Sequence, residues 1–191
     1  MNADSMAPVA LDTNELGKLS EHPAEIALQQ AAPLLGNLVK DPAFLEAEIL
    51  PLLEEARGTE GWYVARSYEG KDRVFSLRVF VWPPSTETRI HDHSSWGVYC
   101  GAVGSVLEER YVRLDDGSRP DHARLEKVWQ LSWSREDGAS SVLPYDGGIH
   151  RVGNPNETLA ISVHLYGPRI GEVDGRDYDI SRDFVCDRRE D

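Results

Sequence analysis

Cysteine is almost missing from this chain of 191 residues: only Cys100 and Cys186 occur. Two thiols cannot build a disulfide framework, and their scarcity fits the reducing conditions of a cytoplasm. Long hydrophobic runs are missing as well; none approaches the roughly 20 residues a membrane-spanning helix needs. Residues 1–22 hold an early Asp4 and no basic stretch ahead of an apolar core, so no secretory signal is expected. Positive charge is in short supply. Twenty Lys and Arg stand against 33 Asp and Glu, a net charge of -13, and such a surface repels phosphate backbones and anionic lipids alike. Neither nucleic acid nor a membrane is an expected partner. No internal repeat, no low-complexity block and no glycine-rich dinucleotide fingerprint is present.

What is there is globular. Hydrophobic residues make up 40% and charged residues 28% of the chain, well away from the composition of disordered segments. A chain of this length can bury about 70% of its unfolded surface, so one domain without covalent staples is expected. Its style changes once, near residue 58. Before that point Leu28, Ala31, Leu34, Leu35 and Leu38 recur at three- and four-residue spacings, and Asp41-Pro42 opens a second such stretch with Phe44, Leu45, Ile49, Leu52 and Leu53. These are amphipathic helices that need a surface to cover. After it the period becomes two: Phe75, Leu77, Val79 and Val81 alternate with Ser76, Arg78 and Phe80, and Pro83-Pro84 ends the run. Further strands are expected at 62–68, 86–92, 96–102, 105–114, 123–133, 139–144, 149–153 and 158–166. Many short strands without intervening helices mean a sandwich or barrel. The expected organisation is an N-terminal tail over 1–21, a helical cap over 22–57 and a β-barrel over 58–191.

Three of the six histidines form a pattern. In His91-Asp92-His93 the two imidazoles fall on one face of a strand, where both can reach one metal ion. His150, just past the turn signal Gly147-Gly148, can supply a third ligand from a neighbouring strand. Imidazole suits Fe, Ni, Cu and Zn, so ligand type alone leaves the metal open. The surroundings resemble the two motifs of the cupin superfamily. His91, His93 and Gly104 fit the first, with Gly97 where a Glu is usual; Pro144, Gly147, His150 and Asn154 fit the second with one extra residue after the proline. The resemblance implies a cupin double-stranded β-helix, a jelly-roll barrel with a metal in its mouth, beneath the helical cap.

A second constellation follows. Between Thr158 and Tyr166 the residues Leu159, Ile161, Val163 and Leu165 share one strand face, and Ser162, His164 and Tyr166 share the other. This Ser-x-His-x-Tyr run after a metal-binding His closely resembles the thiol dioxygenase branch of the cupins, typified by cysteine dioxygenase. The resemblance implies one Fe(II) per chain on His91, His93 and His150, and a relay of Ser162, His164 and Tyr166. The implied reaction combines a small carboxylate-bearing thiol, cysteine or a 3-mercaptopropionate-like mercapto acid, with O2 to give a sulfinic acid. Arg66, about 25 residues before His91, resembles the family's carboxylate-binding arginine, a role that suits a planar guanidinium; Arg89, Arg169 and Arg176 are its rivals. Gly97-Val98 stands where some members carry a cysteine that crosslinks to the tyrosine, so no crosslink is expected. Other readings of the same histidines are a metal-dependent cupin isomerase or hydrolase, which has no use for the relay, and a non-catalytic sensor cupin, which has no need of all three ligands.

Overall fold

The computed structural model describes residues 13–171 and 173–188. Its period-two segments are strands: β1 (Tyr63–Glu69), β2 (Ser76–Trp82), β3 (Thr86–Glu87), β4 (Ile90–His91), β5 (Gly97–Val103), β6 (Ser105–Arg113), β7 (Leu125–Ser134), β8 (Ser140–Val142), β9 (His150–Asn154), β10 (Ala160–Tyr166), β11 (Gly175–Asp179) and β12 (Phe184–Arg188). They form two antiparallel sheets, one ordered β1-β2-β10-β5-β8 and the other β12-β11-β4-β9-β6-β7 with β3 joined to β9. Residues of both sheets meet in one interior, where Phe80, Trp82, Tyr99 and Tyr166 from the first pack with Val106, Trp133 and Val152 from the second. The architecture is the expected mainly β cupin barrel with an N-terminal helical cap.

The cap is built as the spacing demands. Helix α2 (Ala24–Leu38) buries Ala27, Ala31, Leu35 and Leu38. It lies against the outer face of the first sheet, which offers Leu77, Val79, Val81, Val98, Ile161, Val163 and Leu165. Each fully buried Leu or Val contributes about 1.5–3 kcal/mol. The next segment starts where Asp41 accepts a hydrogen bond from the Phe44 amide at 2.8 Å and Pro42 takes a first-turn position. It continues through α3 (Pro42–Phe44), a wider π turn (Leu45–Ile49) and α4 (Leu52–Glu55).

Two features differ from the sequence expectation. The expected tail over 1–21 lies partly outside the described residues, but its end forms α1 (Thr13–Leu19), which buries Leu16 and Leu19 in the cap core. Two turns are too short to display a period. Strands β11 and β12 lie outside the expected set: Gly-Arg-Asp-Tyr-Asp of β11 carries one apolar residue, and in β12 the apolar run Phe184, Val185 and Cys186 is too short to show a period; their inward side chains are Tyr178 and Val185. They complete the second sheet beside β4, pairing Asp177 with His91 and Tyr178 with Ile90.

One irregularity decides which side chains face the interior. In β1, Val64 lies opposite Phe80 but Arg66 lies opposite Val79, so the register slips by one residue at Ala65. Side chains alternate on a strand, and an inserted residue exchanges the two faces beyond it. Val64 therefore shares the inner face with Phe80, while Arg66 shares the outer face with Val79 and the cap.

Candidate metal centre

Antiparallel pairing of β4 with β9 sets His91 directly opposite His150, and His93 follows two residues on. The residue between the two histidines is held hard. Asp92 is fully buried and accepts hydrogen bonds from the Arg176 backbone amide (2.7 Å), Arg176 Nε (2.8 Å) and Nη2 (2.6 Å) and the Tyr178 hydroxyl (2.7 Å). Strands β11 and β12 thus clamp the segment that presents both rings. A nitrogen from each of His91, His93 and His150 lies within 4.8 Å of the others.

Hydrogen bonds to the far nitrogens define the protons. His91 Nδ1 lies 2.9 Å from the Arg89 carbonyl and His150 Nδ1 lies 2.7 Å from Glu108 Oε1; both partners only accept, so each ring carries its proton on Nδ1 and turns a lone pair on Nε2 to the cluster. His93 Nδ1 faces Arg188 Nη2 at 3.3 Å, and its Nε2 lies 3.2 Å from His150 Nε2. A guanidinium only donates, so His93 holds its proton on Nε2 and shares it with His150. For His93 to join His91 and His150 in holding a cation, that proton would have to leave Nε2. Burial, and then the neighbouring positive and imidazole groups, hold His91 and His93 well below the usual imidazole range, and burial also lowers His150. Three neutral nitrogen donors aimed at one point suit a transition-metal ion.

Among the described residues no carboxylate joins them. At Gly97, a Cβ would stand 2.5 Å from the Tyr99 hydroxyl, so the phenol fills the volume a larger residue would use. Tyr99 is fully buried and its hydroxyl has no hydrogen-bond partner among the described residues. An acid does stand behind His150: Glu108 on β6, fully buried. Its other partners are Arg110 Nε in an ion pair at 2.9 Å, the Ser140 hydroxyl, and Trp133 Nε1 at 3.3 Å. Burial works to raise this carboxyl, but His150, Arg110 and Ser140 hold it down at about 2.

Ser162, His164 and Tyr166 project from β10 into the same interior. Trp82 Nε1 donates to Ser162 Oγ at 2.8 Å, Ser162 Oγ lies 2.7 Å from His164 Nε2, and His164 Nδ1 lies 3.1 Å from the Tyr166 oxygen. An indole only donates, and Ser162 is fully buried with these two partners. The chain is satisfied throughout only if Ser162 donates to His164 and His164 donates to Tyr166. Burial supports this by holding His164 well below its usual range, hence neutral. The Tyr166 proton is then free to point into the cavity, and burial raises that phenol so that it stays protonated. The Tyr166 and His93 ring centroids are 5.0 Å apart.

The cavity they share has a volume of about 550 Å³, with Trp62, Val64, Phe80 and Trp82 on its apolar wall and Arg78, Arg89, Arg169 and Arg188 among its charged groups. Arg66 is not part of it. Turned outward by the slip at Ala65, its guanidinium lies 3.1 Å from Glu55 and 3.8 Å from Glu48 of the cap. That correction has a sequence cause: spacing before His91 counts residues, and an inserted residue changes the face. Of the rivals, Arg176 is committed to Asp92 and Asp146, Arg169 pairs with Asp174 at 3.3 Å, and Arg89 is largely exposed beside Asp177. Arg78 also lines the cavity, opposite His164 in the ladder, with its guanidinium carbon 5.8 Å from the Tyr166 ring centroid. Sequence reasoning passed over it, although it alternates with Ser76 and Phe80 on the polar side of β2. Glu108, Tyr99 and Arg188 were also missed, and only their placement across different strands gives them meaning.

Comparisons with known proteins bear on this geometry. The family model described as cysteine dioxygenase type I matches residues 63–179. Among solved structures the chain resembles a cupin 2 conserved barrel domain protein from Salinispora arenicola CNS-205, at 15% identity over 56% of this chain and 73% of that one with a TM-score of 0.37. It also resembles oxalate oxidase in complex with the substrate analogue glycolate, at 15% identity over 59% of this chain and 54% of that one with a TM-score of 0.44. CapF in complex with an inhibitor is similar at 12% identity and a TM-score of 0.39, over 60% of this chain. The chain spans 28% of the length of CapF and about half that of oxalate oxidase.

Proposed function

Because the chain belongs to the cysteine dioxygenase type I family, we propose that it is an Fe(II)-dependent thiol dioxygenase whose substrate is a small carboxylate-bearing thiol, cysteine or a 3-mercaptopropionate-like mercapto acid. The reaction is RSH + O2 → RSO2H. Both oxygen atoms bond to sulfur, and oxidation of the thiol to the sulfinic acid supplies all four electrons that O2 takes up, so no further reductant enters. The observation that carries this reading is the convergence of three neutral histidine nitrogens and the end of a satisfied Trp82, Ser162, His164, Tyr166 chain in one cavity.

His91, His93 and His150 would hold the ion, which when bound would supply the acidity that turns a thiol into the more reactive thiolate. The chain's own residues do the rest. Trp62, Phe80 and Trp82 give the cavity an apolar wall, and a substrate seated against it would displace water and strengthen the polar contacts made there. Tyr166 keeps its proton and aims it at the reacting atoms, fixed in direction by His164. Arg78, on the wall beside Tyr166, takes the substrate carboxylate. In a protein of net charge -13 long-range attraction opposes an anion, so a local cation has to hold it.

The test measures O2 uptake and sulfinate formation by the iron-loaded protein with cysteine, 3-mercaptopropionate, mercaptosuccinate and cysteamine. Carboxylate-bearing thiols should be turned over with one O2 consumed per sulfinate. Arg78→Ala should raise KM for them roughly 10–100-fold, the range of a charge-assisted contact of about 1.5–3 kcal/mol, and leave cysteamine almost unchanged. Absence of O2 uptake with every thiol rejects the dioxygenase reading and favours an isomerase or hydrolase. Equal loss on cysteamine makes Arg78 structural.

A further inference from the structure

The first cupin-like motif lacks its carboxylate because Gly97 occupies that position, yet a carboxylate lies 2.7 Å from His150 Nδ1 on the side of the ring away from the cluster. We propose that Glu108 is a positioning residue for the three-histidine site: it fixes the His150 ring and tautomer from behind, at a site whose usual motif carboxylate Gly97 leaves out. The inference rests on the metal reading above.

An ionised carboxylate with no exposure is expensive, several kcal/mol before compensation, so its location needs a reason. Arg110 compensates the charge, with 11% of its own side chain exposed, but that pair could sit anywhere on β6. What places it here is the ladder: His150 lies opposite Arg110 and Val152 opposite Glu108, so both charged groups flank the base of the ring. Oε1 accepts a hydrogen bond from His150 Nδ1, while Oε2 accepts from Ser140 and Trp133. The carboxylate is therefore aligned from two sides and cannot swing away. Since a carboxylate only accepts, His150 must keep its proton on Nδ1, leaving Nε2 as the sole nitrogen for a ligand. The adjacent Glu109 provides the contrast. It points to the other face of β6, where Tyr111, Lys127 and Arg151 pair with it.

The test compares Glu108→Gln with Glu109→Gln. Fe(II) and Co(II) affinities are titrated without O2, and ring-nitrogen NMR of the metal-free wild-type protein reports the His150 tautomer. Glu108→Gln should weaken both ions roughly 10–100-fold and shift the visible spectrum of the Co(II) protein, whereas Glu109→Gln should leave affinity and spectrum unchanged. The wild-type NMR should show the His150 proton on Nδ1, a result that does not depend on whether a variant folds. Affinity of Glu108→Gln within threefold of wild type, or a His150 proton on Nε2, overturns the role of Glu108. If wild type binds neither ion, or His150→Ala binds as well as wild type, the metal reading itself fails and the proposal falls with it.

Discussion

Acidification of the metal-free protein tests whether the site is as dry and as neutral as its geometry requires. His91 and His164 are buried, at 7% and 3% exposure, and burial holds both well below the usual imidazole range. In the unfolded chain each returns to a value near 6.5. Below that pH the unfolded state takes up protons that the folded state refuses, so stability falls as pH falls. At pH 5.5 an unfolded histidine is protonated about ten parts to one, which amounts to about 1.4 kcal/mol per ring. Two rings give about 2.8 kcal/mol. His93, shifted the same way by burial and by His91 and His150, adds up to about 1.4 more. Glu108 does not enter this window: with a folded value of about 2, its contribution is lost only as pH falls from near 4.5 towards 2. Urea unfolding at pH 7.5 and 5.5 should therefore differ by about 3–4 kcal/mol, a large share of the 5–15 kcal/mol that such domains possess. With a slope of about 2 kcal/mol per molar, the midpoint should drop by roughly 1.5–2 M. A loss below about 1 kcal/mol would mean that the imidazoles titrate as they do in water, and the picture of neutral imidazoles buried around one point would be wrong.

Tyr166→Phe should keep the fold and the bound iron but reduce kcat about 100–1,000-fold, the cost of one preorganised donor of about 2.7–4 kcal/mol; a loss under threefold in steady-state O2 uptake would make the Ser162, His164 and Tyr166 face ordinary interior polarity. Arg66→Ala should leave KM for carboxylate-bearing thiols unchanged, since its partners are Glu55 and Glu48. It should cost at most about 1 kcal/mol in urea unfolding, as partly exposed ion pairs do. A selective rise in KM would return the carboxylate to Arg66.

The grouping of the candidate residues was legible because spacing along a strand decides which side chains share a face. His91 and His93 share a strand face at a two-residue interval, and Ser162, His164 and Tyr166 do the same, so each group announces its own alignment. The cap was legible for a similar reason, from helical spacing in 22–57. What stayed hidden depends on register between strands distant in sequence. Glu108 gains its role only because β6 pairs with β9, and Arg78 only because β2 pairs with β10. The misplacement of Arg66 comes from a single inserted residue, Ala65, which leaves no compositional trace because either face of β1 accepts an arginine. Strands β11 and β12 were hidden by their charge. Arg176 and Tyr178 of β11 and Arg188 of β12 are spent on Asp92, not on a solvated loop.

Strand β10 is buried along its whole length, bonded to β2 on one side and β5 on the other, with the helical cap over its apolar face. An amide in such a position has no local route to solvent; it exchanges its hydrogen only when the cooperative unit around it opens. The donor chain ending at Tyr166 therefore has no private looseness. Its geometry is as durable as the domain, and heat should abolish it at the same temperature at which the barrel melts. A substitution under the cap, at Leu35 for instance, would reach the chemistry without approaching it, by raising how often this strand is released.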